Sequence, residues 1–400
     1  MGRRFSLQPA GSDGRRTPSI YCIECTWEKG MTIKYTSEQV QVAWERQVPA
    51  AAAIESRYAD GIAIYGAGFV GTWASQYLQS RGARITKFID SDSRKIGKEV
   101  NGIPVVEPSR DELASAHALF IAARHAVPEV DQMMAPYGCP TLSFDGYFVL
   151  RNYDRLCAIR DQYLGDVRSV QVFNALLMAM LTGSTEPCRA VMDKDMYFCL
   201  PEFSGNFDET FVDAGAFVGD TVERFVWENL GTFRHIYAFE PGLKQFHAMQ
   251  QRVQRLVSEW AFDPSSVSLV RAGLSDAAGR MACTFVNDAP LRHGLSGVMV
   301  PSGPGGGNET TAQVLTLDAY LAGRPVSFLK ADVEGMEMEL LRGAAQTIRN
   351  CKPKMALCIY HYPSHLYEVA EYVRSLASEY RFELRQHAPL FGDFVLYCWV

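Results

Sequence analysis

Apolar and polar positions follow two different periods along the chain, and the changes of period mark its organisation. The stretch TSEQVQVAWERQV opens on the hydroxyl residue Thr36 and places Gln39 three positions on, the spacing of a capping box at the start of a helix. GIAIYGAGFVG then passes from an apolar strand through a glycine turn into a helix; ARITKFID supplies a second strand and HALFIAA a third apolar run. The pattern predicts a leading helix and a small α/β domain over 31–150. Between 151 and 190 strand periodicity vanishes, and Val170, Val172, Phe173, Leu176, Leu177 and Met180 recur at helical spacing. A helical connector is predicted over 151–205.

A second alternation starts after PEFSGNFDET, with strands predicted near 211–213, 235–239, 266–272, 326–332 and 355–360 and helical stretches between most of them. Strands alternating with helices build a parallel sheet. The closing RFELRQHAPLFGDFVLYCWV holds two β-rich runs joined through Pro389 and Gly392, an antiparallel hairpin for the sheet edge. The expected fold class is therefore α/β with two Rossmann-like domains, the second over 206–400. The glycine run at 301–310 reads as a flexible loop, and residues 1–30 as a disordered tail.

Composition narrows the possible roles. A chain of 400 residues, 48 % hydrophobic and 21 % charged, is ordinary for two globular domains. The net charge of -6, with no long basic run, argues against nucleic acid as a partner. The apolar stretch at 175–181 falls far short of the ~20 residues a membrane span needs. Ten cysteines without framework spacing suggest reduced thiols and a cytoplasmic setting. Cys22 and Cys25 form a C-x-x-C with no second pair to complete a zinc site. The arginines at 3, 4, 15 and 16 lack the apolar core of a secretory signal; Gly2 with Ser6 fits a short myristoylation pattern, and Met31 is an alternative start.

Two glycine turns carry the candidate chemistry. In the first, Gly66, Gly68 and Gly71 match G-x-G-x-x-G between strand and helix, and Asp90 ends the next strand, placed for ribose hydroxyls. This predicts a nucleotide or nucleotide-sugar site, or else a turn kept for packing. A dehydrogenase using NAD is a rival reading, although no Tyr-x-x-x-Lys set accompanies the turn. The second turn is FVDAGAFVGDT, with Asp213, Gly215, Ala216, Gly219 and Asp220, followed by AFEP with Glu240 and Pro241. It suits S-adenosylmethionine. That ligand has no pyrophosphate, so close glycine backbone accommodates it; Glu240 is placed for the ribose hydroxyls, and Asp213 for the ammonium, directly or through water.

Downstream come GLSDAAG with Asp276, a further candidate for binding the cofactor, LTLDAYL with Asp318, and KADVEGMEMELLRGA. Together with FVDAGAFVGDT and AFEP, this set resembles the FkbM family of S-adenosylmethionine-dependent methyltransferases over about the last two hundred residues. The resemblance implies a class I methyltransferase fold with a seven-stranded sheet. It also implies O-methylation of a sugar, a polysaccharide precursor or a natural product. A further rival is a binding or scaffold protein that keeps the fold without catalysis.

Lys330, Asp332 and Glu334 alternate at the end of a predicted central strand, so an extended chain turns them to one face near the carboxyl edge. Asp332 is the first candidate base for the acceptor hydroxyl, and Glu334 and Lys330 are candidates for orienting it or for local capping and pairing. His361, after the strand KMALCIY, is a second candidate base; Pro363 breaks any zinc-binding helix face shared with His365, and Ser364 is placed to cap the next helix. IYHYPSHLYEVAEYVRSL also resembles the tail of FkbM-like proteins. His293 and Ser296, in LRHGLSG, read as part of a loop able to close over an acceptor. The pair Asp332 and Glu334 could hold magnesium, but two carboxylates alone do not define a site, so no metal is assigned. The oligomeric state is left open.

Overall fold

The computed structural model describes residues 35–285, 293–299 and 311–400. The readings on Gly2, Ser6, Cys22, Cys25, Met31 and the glycine run at 301–310 lie outside the described residues. Thr36 and Gln39 form the capping box in full: each backbone N–H is bound by the other's side chain at the start of helix Ser37–Glu55.

The first sheet contains β1 (Ile62–Tyr65), β2 (Ile85–Ile89), β3 (Glu99–Val100), β4 (Ile103–Val106), β5 (Leu119–Ile121) and β6 (Thr141–Ser143). Its order is β3-β4-β2-β1-β5-β6, parallel except where β3 meets β4. Helices Phe144–Gln162 and Val167–Thr182 then occupy the predicted connector.

The later strands are β7 (Thr210–Ala214), β8 (His235–Phe239), β9 (Val267–Val270), β10 (Gly273–Leu274), β11 (Gly279–Phe285), β12 (His293–Met299), β13 (Thr311–Leu315), β14 (Phe328–Ala331), β15 (Lys354–Cys358), β16 (Arg381–Gln386) and β17 (Phe394–Trp399). Seven of them form a sheet ordered β16-β17-β15-β14-β7-β8-β9. It is parallel from β15 to β9, and the last two strands make the predicted antiparallel edge. The chain winds outward from β7 through β8 and β9 and returns on the other side at β14. The carboxyl ends of β7 and β14 therefore flank a topological switch point, where open α/β sheets bind ligands.

One departure from the sequence reading concerns His293 and Ser296. They belong to β12, which pairs antiparallel with β11 in a separate four-stranded sheet ordered β10-β13-β11-β12, and not to a loop. Their side chains lie outside the described residues. The strand was missed because Gly294 and Gly297 interrupt the apolar alternation that marks a strand.

A continuous apolar cluster joins the two larger sheets, running through Val40, Phe120, Phe148, Leu176, Leu329, Leu357 and Phe382. The connector helices supply much of it, so they serve as packing between the sheets. On the other face of the seven-stranded sheet Phe203, Phe211, Phe225 and Phe328 pack with Tyr397 in a second cluster. Among the described residues no helix is long and apolar enough to cross a membrane.

Candidate functional site

A cavity of about 450 Å³ opens at the switch point and is lined by Tyr197, Gly215, Phe217, Asp220, Glu240, Pro241, Leu274, Lys330, Asp332 and Glu334, among others. Residues at the carboxyl ends of β7, β8 and β14 thus share one wall. Four lining residues other than glycine, Tyr197, Phe217, Glu334 and Asp393, hold left-handed φ values of 71°, 48°, 55° and 54°. Side chains other than glycine rarely accept this conformation, and such strain gathers at binding sites.

The turn after β7 is shaped by contact. Gly215 has φ +77°, and a Cβ there would fall 1.8 Å from the carbonyl oxygen of Asp332, so only glycine lets the two strand ends meet this closely. Across the turn, the Glu240 carboxylate accepts the N–H of Phe217 at 3.0 Å and that of Gly242 at 2.6 Å. It is fixed on the cavity wall with only 2 % exposure. Ala216 is buried behind the turn, and Gly219 precedes helix Asp220–Glu228 with φ +79°.

Asp213 lies under the floor. It is fully buried, away from the lining, with the Lys330 ammonium 3.0 Å from its carboxylate. Register explains the pair: Lys330 on β14 stands directly beside Asp213 on β7, so their side chains leave the sheet on the same face. Burial pushes the Asp213 carboxyl up to about 6 against the pull of Lys330. Burial works against the Lys330 charge, but Asp213 and Asp332 hold that ammonium above its ordinary range. Lys330 also donates to the carbonyl of Gly215 at 2.7 Å, tying the floor to the turn.

Asp332 follows β14 and turns into the cavity, where its carboxylate accepts the hydroxyls of Tyr197 and Tyr360, each at 3.0 Å. Glu334 is far more open, with 61 % of its side chain exposed. His361 sits behind both: its Nε2 is 3.8 Å from Asp332 and 3.6 Å from Glu334, and its Nδ1 is 2.9 Å from the fully buried Glu337. Burial opposes charge on this ring, but Glu337, Glu334 and Asp332 together raise it to about 10. An imidazole held in its charged form is poorly placed to act as a base. His365 also faces Glu337, at 3.4 Å, and burial lowers it to about 4. Ser364 occupies the cap position of helix His365–Leu376 but makes no side-chain capping bond.

Two other carboxylates lie off the cavity. Asp276 is exposed beside the Ser275 hydroxyl, and Gly273 and Leu274 face the cavity in its place. Asp318 accepts from the N–H groups of Gln346 and Thr347 and so caps helix Ala345–Cys351. Tyr197, Tyr360 and Glu337 had not been singled out. Glu337 continues the acidic spacing of DVEGME and Tyr360 precedes His361, signals available locally, whereas Tyr197 comes from 135 positions upstream.

The first turn is built differently. Asp90 spends its carboxylate on the N–H groups of Ala67 and Asp92 and on Lys95, at 2.7, 2.8 and 2.9 Å. Burial opposes its charge, but these donors hold it below the ordinary carboxylate range. A Cβ on Gly71 would lie 1.8 Å from the Gly66 carbonyl, so that glycine is required by packing alone. Gly68 begins helix Phe69–Ser80, and the exposed Phe69 packs its ring 4.6 Å from that of Tyr362.

Residues 213–388 match the methyltransferase FkbM domain. The chain carries an FkbM methyltransferase domain. A solved structure of the methyltransferase FkbM from Methylobacillus flagellatus aligns over 90 % of this chain and 98 % of its own, at 23 % identity and a TM-score of 0.55. This likeness to an FkbM fold extends across both sheets. A UDP-D-quinovosamine 4-dehydrogenase from Vibrio fischeri covers 21 % of this chain and 75 % of its own, at 20 % identity and a TM-score of 0.19. An rRNA methylase from Streptococcus thermophilus covers 50 % of this chain and 90 % of its own, at 15 % identity and a TM-score of 0.31. No curated protein matches the sequence. The FkbM domain supports methylation dependent on S-adenosylmethionine, and the matched residues include most of those that line the cavity.

Proposed function

We propose that the protein transfers a methyl group from S-adenosylmethionine to a hydroxyl oxygen of a sugar, a glycan precursor or a natural product. The observation that carries this reading is that Asp332 and Glu334 line the same cavity as Gly215 and Glu240. The groups read as serving the donor and the acceptor thus line one cavity.

The residues suit the donor. Gly215 keeps the floor low, the fixed Glu240 carboxylate faces the cavity where ribose hydroxyls can donate to it, and the volume lies within the range of small-molecule sites. S-adenosylmethionine supplies an electrophilic methyl on a sulfonium. The acceptor oxygen forms the new C–O bond as the C–S bond breaks, the electron pair returns to sulfur, and the hydroxyl proton leaves to a carboxylate. Asp332 already accepts two tyrosine hydroxyls and aims the acceptor; the open Glu334 takes the proton.

The first turn acts in this reading as a docking element. Its neighbouring cavity, about 700 Å³, has room for a nucleotide, but Asp90 and Lys95 are spent on each other and Arg124 on Asp145. Arg124 also donates to the carbonyl of Tyr360 at 2.8 Å, which ties the first sheet to the His361 segment.

Calorimetric titration with S-adenosylmethionine, NAD and a UDP-sugar tests both assignments, followed by an acceptor screen that reads release of S-adenosylhomocysteine. Donor binding lost in Glu240→Ala, with turnover on a hydroxylated acceptor lost in Glu334→Gln, is the expected result. NAD binding without any response to S-adenosylmethionine would sink the reading.

A further inference from the structure

Three side chains behind the acceptor wall have more binding capacity than the protein uses. One oxygen of Asp332, one of Glu337 and one ring nitrogen of His361 lie within 4.8 Å of one another. Glu337 is fully buried and His361 is 7 % exposed. Although Nδ1 of His361 is 2.9 Å from Glu337, neither ring nitrogen makes an aligned hydrogen bond, and Oε2 of Glu337 also lacks one. Buried polar atoms are rarely left so, and each such group calls for a missing partner.

Charge points the same way. Asp332, Glu334 and Glu337 converge on one imidazole, and Lys330, whose charge Asp332 helps to hold, is committed to Asp213. Two of the three carboxylates are anchored by other groups: Asp332 by the two tyrosine hydroxyls, and Glu337 by the N–H groups of Val333 at 3.1 Å and Gly335 at 3.4 Å through Oε1. A carboxylate has about four acceptor positions, so both keep lone pairs for another ligand. Oriented, desolvated donors with spare lone pairs are what a metal site requires.

We propose that Asp332, Glu337 and His361 bind a divalent first-row metal ion directly behind the methyl-acceptor wall. One imidazole with two carboxylates favours manganese, iron or zinc over calcium, which takes oxygen ligands alone. Donors at metal–ligand distances of about 2.0–2.2 Å stand up to about 4.4 Å apart, so a small inward movement of the three side chains closes the site. On binding, the ion displaces to solvent the proton that the carboxylates otherwise hold on His361, offsets the carboxylate charge in its place and keeps Asp332 oriented, which leaves Glu334 as the base. This inference builds on the methyl-transfer reading, because it assigns Asp332 to the cavity used by the acceptor.

The test uses the full chain stripped with EDTA and titrated with manganese(II) chloride, with free ion read by electron paramagnetic resonance. One equivalent is expected to bind, and its electron spin echo to show the nitrogen modulation of a coordinated imidazole. His361→Gln removes the modulation, and both His361→Gln and Asp332→Asn weaken binding at least about tenfold, while Glu334→Gln leaves it within about twofold. No saturable binding, a bound ion with no nitrogen signal, or unchanged affinity in both ligand variants overturns the site. The wild-type nitrogen signal decides the matter even where a variant fails to fold. Calorimetry with S-adenosylmethionine on the metal-free protein separates the two claims. Donor binding without manganese binding overturns the cation site alone; manganese binding without donor binding supports the site and overturns the methyl-transfer reading.

Discussion

Lys330 and Asp213 stand side by side on neighbouring strands beneath the cavity, with ammonium and carboxylate 3.0 Å apart and side chains 3 % and 0 % exposed. A pair so buried stabilises little as a pair, yet removing one partner strands the other charge. Lys330→Met is expected to destabilise the protein by about 3 kcal/mol at pH 7, and Asp213→Asn with Lys330→Met to recover most of that loss. The pH dependence has a definite sign. Burial raises the Asp213 carboxyl from 3.8 to about 6, so the folded protein holds that proton more readily than the unfolded chain. Its ionisation therefore costs stability as pH rises from about 3.8 through about 6, and loss of Lys330 moves the upper limit higher. The gap between wild type and Lys330→Met should narrow on going from pH 8 to pH 5. Thermal melts at the two values check this; a gap that is constant or widens toward pH 5 would contradict it.

Gly215 offers a test of the close approach between the two strand ends. Alanine there must accept φ +77° and a Cβ 1.8 Å from the Asp332 carbonyl, so either β7 or β14 has to move. Gly215→Ala is expected to cost at least about 2 kcal/mol in stability and to abolish S-adenosylmethionine binding. Alanine at Gly68, where the nearest atom to a Cβ is the Lys95 ammonium at 4.0 Å, should leave both nearly unchanged. Melting and calorimetry on the two variants, made side by side, read the contrast.

The two tyrosines on Asp332 should act on turnover and not on donor affinity. Tyr197→Phe and Tyr360→Phe each delete one hydroxyl donor 3.0 Å from the carboxylate and leave the ring packing in place. A hydrogen bond to a charged group contributes about 1.5–3 kcal/mol, which sets an expected fall in kcat of roughly tenfold or more for each. The affinity for S-adenosylmethionine should stay within about twofold, because neither tyrosine touches Glu240 or the Gly215 turn through a hydrogen bond. Equal losses in kcat and in donor affinity would show that the tyrosines shape the whole cavity.

Much of the larger sheet was legible because its strands are short apolar runs closed by turn signals, and β8 fell where the pattern put it. The glycine turn after β7 and the carboxylates at 332 and 334 line one cavity, as expected of strand ends that gather at one edge of a parallel sheet. Residues brought in by tertiary packing escaped. Tyr197 reaches Asp332 from the end of the connector, and no local spacing announces a contact made across 135 positions. The Lys330 and Asp213 pair depended on strand order, because only adjacency of β14 and β7 turns two charged residues into a buried neutralised floor. Asp318, which stands in a family motif and was given no role, accepts from the start of a helix and caps it.

Arg124 tests whether the first sheet takes part in positioning the acceptor wall. Its guanidinium binds Asp145 through two hydrogen bonds of 2.7 and 3.0 Å and the Tyr360 carbonyl through a third of 2.8 Å, so one side chain clamps the segment that presents Tyr360 and His361. Lysine keeps the charge but cannot reproduce the planar fork. Arg124→Lys is expected to retain most of the stability, because Asp145 stays paired, yet to lower kcat roughly tenfold as the Tyr360 segment loses its anchor. Arg124→Ala leaves a carboxylate with 5 % side-chain exposure unpaired and should cost about 3 kcal/mol as well. Donor affinity should be unchanged in the lysine variant, since the clamp holds the Tyr360 segment and makes no hydrogen bond to Gly215 or Glu240. Full activity in Arg124→Lys would mean that the first sheet stabilises the protein without positioning the acceptor wall.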